Sequence, residues 1–239
     1  MAVGDFVGMR KVAIATVSRG IVPMDYTVSL VRTLRQPIEG LNVIFIPIVG
    51  HANVPRARNI LVAMAKEQEV DDIVFIDDDI GWNPEEFVKL FNVPSDVKIV
   101  AGCPQRRTTS EVQFCGSLDP GTQLAQKNLL SGYAATAFMR ISMDVFADIP
   151  SEDFDYTMPG FGEYKCRSYF DYSVEPNISG KGIGYMGEDY YFCKKAKEAG
   201  HEVWLRPGIR LAHINAAPMT ECMADHLDII VDGQKLELD

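Results

Sequence analysis

The chain lacks any uninterrupted apolar run long enough to cross a bilayer. Its longest, Leu41 to Val49, is broken by Pro47 and falls well short of the roughly 20 residues that a spanning helix needs. No membrane anchor is expected. The first residues, Met1 to Lys11, mix Gly4, Asp5, Gly8, Arg10 and Lys11 and hold too few apolar side chains for the core of a secretion signal, so the expected location is the cytoplasm. Cysteine is also scarce. Cys103, Cys115, Cys166, Cys193 and Cys222 form an odd, irregularly spaced set without a CxxC pair, which points to reduced, mostly buried thiols rather than a disulfide framework or a zinc knuckle. Positive charge is the third shortage. With 23 Lys and Arg against 33 Asp and Glu, the net charge is -10, a sign that opposes a broad phosphate-neutralising surface and leaves only local basic patches for a polyanion.

What the chain does have is apolar material, 47% of its 239 residues, enough for one α/β core. Val12 to Val17 reads as a buried strand, Met24, Val28, Val31 and Leu34 recur at helical spacing, and Val43 to Val49 is a second strand. Pro55 to Glu69 suits a helix, and Ile73 to Ile76 a third strand. This alternation predicts βαβ units and a mixed, mostly parallel central sheet flanked by helices. The second half is less regular. Ile99 to Gly102 and Leu129 to Arg140 read as strands, Ser142 to Ala147 as a short helix, and Pro150 to Gly187 as a long loop rich in glycine and aromatics. Glu188 to Ala199 then reads as a helix and Val203 to Leu205 as a strand. A main domain over residues 1–217 and an extension over 218–239, with a hairpin around Asp232-Gly233, are expected.

Directly after the third strand come Asp77, Asp78 and Asp79, followed by Asn83, Pro84, Glu85 and Glu86, which suit a helix start. Neighbouring carboxylates at ~4 Å repel by about 1 kcal/mol or more when partly exposed. A divalent cation with hard oxygen ligands, Mg²⁺ or Mn²⁺, offsets that repulsion and brings substrate phosphates with it; a solvated acidic turn is the plain alternative. The strand ends of an open α/β sheet are where ligands bind. A P-loop ATPase is excluded, because Gly180-Lys181 is followed by Gly182 and no GxxxxGK[ST] loop exists.

The ordered set of motifs resembles that of GT-A glycosyltransferases. Ile73 to Asp79 is similar to their DxD motif, Gly187-Glu188-Asp189 before an aromatic-rich helix to their ED motif, and Leu211-Ala212-His213 to their late metal-site histidine. Ser131 to Arg140, including Gly132, is similar to the small-residue strand that lines the donor sugar in family 2-like members. The resemblance covers about residues 11–215 and extends to small bacteriophage-encoded enzymes, some of which modify DNA.

It implies a metal-dependent hexosyl or pentosyl transfer from a nucleotide-sugar, a UDP-sugar foremost, to an acceptor hydroxyl. Asp79, with Asp77 and His213, would hold Mn²⁺ or Mg²⁺, and Asp77 or Asp78 would meet ribose or the metal's water shell. Asp189 would be the catalytic base of an inverting reaction, with Glu188 as substitute or acceptor partner. Thr16, Ser18, Arg19, Arg56, Asn59 and Gly132 would bind the donor. Plainer roles stand beside these. His213 suits a packed strand, and acids are favoured in a helix's first turn, where the dipole lowers their pKa. Arg56 and Arg58, two apart, cannot share one helix face. The acceptor stays open between a hydroxymethylated base in phage DNA, for which Arg106, Arg107, Lys194, Lys195 and Lys197 would form a basic rim, and a surface or lipid-linked glycan. A nucleotide-sugar-forming nucleotidyltransferase is disfavoured because Ser18-Arg19-Gly20-Ile21 is too poor in glycine, and a non-catalytic binding module because the full residue set is retained.

Overall fold

A computed structural model describes residues 9–107, 111–158, 162–176, 182–214, 220–227, 230–231 and 234–235. In chain order its elements are β1 (Arg10–Ser18), α1 (Met24–Arg35), β2 (Leu41–Val49), α2 (Val54–Glu67), β3 (Asp72–Ile76), β4 (Ile80–Gly81), α3 (Pro84–Lys89), β5 (Ile99–Ala101) and β6 (Gly116–Leu118). These are followed by β7 (Leu130–Ala134), β8 (Phe138–Ser142), α4 (Val145–Asp148), β9 (Asp153–Met158), β10 (Gly162–Arg167), β11 (Ser173–Pro176) and β12 (Ile183–Met186). The chain continues through α5 (Glu188–Glu198), β13 (Val203–Leu205), β14 (Ala212–His213), β15 (Ile230–Val231) and β16 (Gln234–Lys235).

Eight strands form one sheet in the order β2-β1-β3-β8-β5-β13-β7-β6. Strand alternation divides its side chains between two faces. Ala13, Ala15, Ile73 and Phe75 pack with α2 residues such as Ile60 and Leu61 and with Phe192 of α5, whereas Val12, Ile14, Val74 and Ile76 pack with Tyr26, Trp82 and Phe87 on the other side. A sheet covered on both faces explains why these strands read as continuous apolar runs rather than alternating ones.

The expected mostly parallel sheet is not what forms; the sheet is mixed. β1 pairs parallel with β2 and β3, and β13 with β5, but β8 runs antiparallel to both β3 and β5, as does β7 to β13 and β6. Parallel neighbours need a crossover of a dozen or more residues, usually a helix. The first half of the chain supplies such helices, whereas no α-helix separates β6, β7 and β8, only a single 3-10 turn at Gln126–Asn128.

Two further differences from the sequence reading have physical causes. α1 forms where the apolar spacing predicts, yet it buries Tyr26, Ser29, Leu30 and Thr33 and leaves Met24, Val28, Val31 and Leu34 exposed. The inward polar residues serve Trp82: its backbone N–H donates to Ser29 Oγ and its indole N–H to Thr33 Oγ1, each at 2.9 Å. Burying a tryptophan requires such partners. The expected loop from Pro150 to Gly187 instead contains two antiparallel hairpins, β9–β10 and β11–β12. At the C-terminus β15 pairs antiparallel with β16; the Asp232-Gly233 turn lies outside the described residues. No helix among those described is long and apolar enough to cross a membrane.

Candidate active site

The three aspartates lie where β3 leaves the sheet. The Asp77 N–H donates to the Ala137 carbonyl at 3.1 Å and the Ile80 N–H to the Asp77 carbonyl at 3.1 Å, closing a tight turn. β4 then pairs antiparallel with β14, setting His213 opposite Ile80, and the Ile214 N–H donates to the Asp79 carbonyl at 2.8 Å. This short ladder joins residues 134 positions apart in sequence, bringing His213 Nε2 to 3.7 Å from Asp79 Oδ1. That is an ion-pair separation, too long for a hydrogen bond.

The other imidazole nitrogen, Nδ1, lies 2.7 Å from the Gln105 carbonyl. A carbonyl only accepts, so Nδ1 carries a proton and Nε2 faces the carboxylate. Burial disfavours the imidazolium, but the Asp79 carboxylate, the Cys115 thiol and the Gln105 carbonyl outweigh it and carry the ring up to about 10. Asp79 shifts the opposite way. Burial works against its charge, but His213 and Arg107 hold its carboxyl below the usual range; the Arg107 guanidinium pairs with Asp79 Oδ2.

Arg58 enters the same cleft from α2. Its side chain is only 6% exposed and its guanidinium joins Asp77 Oδ1 at 3.1 Å and the Glu188 carboxylate, so one buried cation ties the strand end to the start of α5. The Asp77 carboxyl is raised by burial, and Asp79 and Glu188 add to that effect against Arg58, even though 40% of its side chain is reachable from the cleft.

Glu188 and Asp189 face different spaces. Glu188 lines a cleft of about 650 Å³ together with Ser18, Arg19, Arg58 and all three aspartates. Asp189 lines a neighbouring cleft of about 500 Å³ together with Arg106, Cys115, Glu175, Tyr185 and Tyr190. The first turn of α5 thus divides the two. Gly187 leaves room for this arrangement, since a Cβ there would sit 3.2 Å from Asp189 Oδ1. That oxygen accepts the Tyr190 N–H at 2.8 Å. Burial nevertheless pushes the Asp189 carboxyl up to about 6; Arg58 opposes this, while Glu188 and Asp77 reinforce it. The helix start alone predicts a lowered value, and desolvation among like charges reverses it.

Several residues assigned to the donor lie elsewhere. Thr16 is buried, its hydroxyl donating to the Ile76 carbonyl at 2.9 Å and accepting from Tyr26 at 2.7 Å. Asn59 is buried too, with its amide clasping both the N–H and the carbonyl of Phe170 at 2.9 Å. Gly132 is a packing glycine in β7, where a Cβ would meet the Ser117 carbonyl oxygen at 2.3 Å. Arg56 lies over the Tyr156 ring. Arg140, at the end of the proposed sugar-lining segment, is buried with Asp72 at the opposite end of β3 from Asp77. The core takes the side chains of Thr16, Asn59 and Arg140, whereas Arg56 stays exposed beside Tyr156.

Arg58 is the arginine that the site uses, and a signal for it existed. Residues 58, 61, 62 and 65 fall on one helical face, and Leu61, Val62 and Ala65 are apolar; an arginine there must be buried and therefore paired. Four of the five residues of the expected basic rim are buried or paired with carboxylates, leaving Arg106, which bonds Gln113 Oε1 at 3.3 Å. Lys195 is buried against the Ser168 carbonyl, Lys194 pairs with Glu175 and Glu198, Lys197 with Asp119 and Glu202, and Arg107 with Asp79. No protein-family model matches the chain, and a search of curated proteins finds no similar sequence.

Proposed function

We propose that the chain is a glycosyltransferase of the GT-A type, moving a sugar from a nucleotide-sugar to an acceptor hydroxyl with inversion. One observation carries this reading: the Asp77–Asp79 turn and Arg58 line one cleft, with His213 3.7 Å from Asp79, and Glu188-Asp189 divides it from a second one. A reaction between two substrates needs two adjoining spaces with a base where they meet.

Asp79 and His213 would hold a divalent cation once the imidazolium, carried up to about 10 beside Asp79, gives up its Nε2 proton as the metal binds. Their facing atoms are not hydrogen-bonded to each other, and His213 is oriented by a carbonyl on its far nitrogen, as metal-binding histidines are. The Arg107 guanidinium on Asp79 already satisfies part of the demand for positive charge. When bound, Mn²⁺ or Mg²⁺ would neutralise the diphosphate and make it a better leaving group.

The protein's own groups do the rest. Ser18 and Arg19 offer hydrogen bonds and charge to the donor, and Arg58 keeps Glu188 and Asp77 apart in fixed positions. Asp189 takes the proton from the acceptor hydroxyl as its oxygen bonds to the anomeric carbon, and the bond from that carbon to the diphosphate oxygen breaks. A carboxyl raised to about 6 is still largely ionised near neutral pH and is a stronger base than an ordinary aspartate.

The test is calorimetry with UDP-, GDP-, CMP- and dTDP-sugars, with and without Mn²⁺, on the wild type and on Asp79→Ala. Manganese-dependent binding of one nucleotide, lost in the variant, is the expected result. Failure of every nucleotide-sugar to bind would overturn the reading.

A further inference from the structure

The cleft beside Asp189 is lined by Tyr185 at the edge of an exposed aromatic and apolar patch. Tyr185 of β12 is 70% exposed and Tyr172, just before β11, 43% exposed, yet the two rings stack at 5.4 Å between centroids and 28° between planes. Ile183 and Val174 on the same hairpin are exposed at 74% and 70%. An apolar and aromatic patch of this kind, rimmed by polar groups, marks a binding surface rather than random exposure. Its polar rim is equally specific. Glu175 lines the cleft, its carboxylate oxygens held by Ser173 Oγ at 2.9 Å and by Lys194 at 3.6 Å, and Arg106 and Asp189 line it as well.

Charge decides what such a cleft can take. Lys194, Lys197 and Arg107, the cations nearest by sequence pattern, are already matched by carboxylates, and Lys195 is buried. A phosphate backbone entering here would meet the Glu175 and Asp189 carboxylates with Arg106 as the one cleft-lining cation against them. An uncharged ring finds the opposite situation. The aliphatic C–H face of a pyranose lies well on the negative face of a tyrosine ring, while hydroxyls at its rim bond to carboxylates and a guanidinium that are already fixed in place.

We propose that this cleft is the acceptor site and that it takes an uncharged sugar, the terminal residue of a glycan, stacked on Tyr185 with one hydroxyl turned toward Asp189. The inference rests on the transferase reading for the word acceptor, but the sugar site itself stands apart from it.

The experiment is saturation-transfer NMR and titration with methyl β-glucoside, methyl β-galactoside, methyl α-mannoside and methyl N-acetyl-β-glucosaminide. A duplex oligonucleotide containing hydroxymethylated cytosine is the competing probe. Wild type, Tyr185→Ala and Tyr185→Phe are compared, with nucleotide-sugar binding measured on the same samples. At least one glycoside should bind, with saturation strongest on one face of its ring. Tyr185→Ala should weaken it about tenfold, Tyr185→Phe should retain it, and both variants should keep the melting temperature and the nucleotide affinity of the wild type.

Binding of the oligonucleotide in preference to every glycoside would overturn the proposal, as would glycoside binding indifferent to Tyr185→Ala. So would a protein that binds a nucleotide-sugar but no glycoside. A protein that binds a glycoside through Tyr185 but no nucleotide-sugar would sustain the sugar site and overturn the transferase reading instead.

Discussion

Asp189→Asn should make the protein more stable, and only above mildly acidic pH. The carboxyl moves from an ordinary value of 3.8 to about 6 on folding, a rise of about two pH units. At about 1.4 kcal/mol per unit this gives about 3 kcal/mol. The sign follows from which state holds the proton more tightly. Below about pH 3 both states are protonated and Asp189 costs nothing. Between about pH 4 and 6 the unfolded chain ionises first, so stability falls as pH rises, and above 6 the full cost is present. Asparagine keeps an acceptor for the Tyr190 N–H and never ionises. Urea denaturation of both proteins at pH 4 and pH 8 reads the difference directly. The variant should gain up to about 3 kcal/mol at pH 8, or about 6–12 °C in melting temperature for a chain of this size, and only about 0.5 kcal/mol at pH 4. An equal difference at both pH values, or a less stable variant at pH 8, would refute the argument that Asp189 is held against a desolvation cost. Retaining a residue that weakens the fold is what a working carboxylate looks like.

Three other outcomes follow from the same geometry. In a transfer assay, the rate for the wild type should rise with pH through a midpoint of about 6, as Asp189 loses its proton, and Asp189→Asn should lower it by about 10²–10⁴-fold; a flat profile over pH 5–8 would remove Asp189 as the base. Arg58→Met should destabilise the protein by about 3 kcal/mol in urea by leaving the Asp77 and Glu188 carboxylates facing one another, whereas an unchanged midpoint would show that the network contributes nothing. Asn59→Ala should cost about 2–3 kcal/mol because both backbone groups of Phe170 lose their partner, yet it should leave nucleotide-sugar affinity as it was; a selective loss of that affinity would return Asn59 to the donor site.

The first half of the fold was legible because β1 and β3 are apolar runs buried on both faces and β1 and β2 each lead into a helix, so period and length agree. From Gly102 to Gly187 the signal fades for a physical reason. Short antiparallel strands such as β6 and β11 have only three or four residues, too few for a period to emerge, and their pairing is decided by partners far along the chain. The aspartate turn was readable because three adjacent acids after a buried strand are locally anomalous. Arg58 was passed over in favour of Arg56, though the two differ by 200° around the helix at 100° per residue. Thr16 and Asn59 have polar side chains that suit a ligand equally well, and only the buried groups they bond to, Ile76 and Phe170, decide against it. Lys194 and Lys197 seemed free as a sequence, since Glu175 and Asp119 reach them from 19 and 78 positions away.

The thiols give the second cleft an unplanned handle. Cys103, Cys166, Cys193 and Cys222 are buried, while Cys115 is partly open and lines the space beside Asp189 and Tyr190. Burial holds the Cys166 and Cys193 thiols up at about 11 and about 12, so a maleimide or spin-label reagent at neutral pH meets one reactive position before the others. A probe attached there reports, without any mutation, whether that cleft is full or empty.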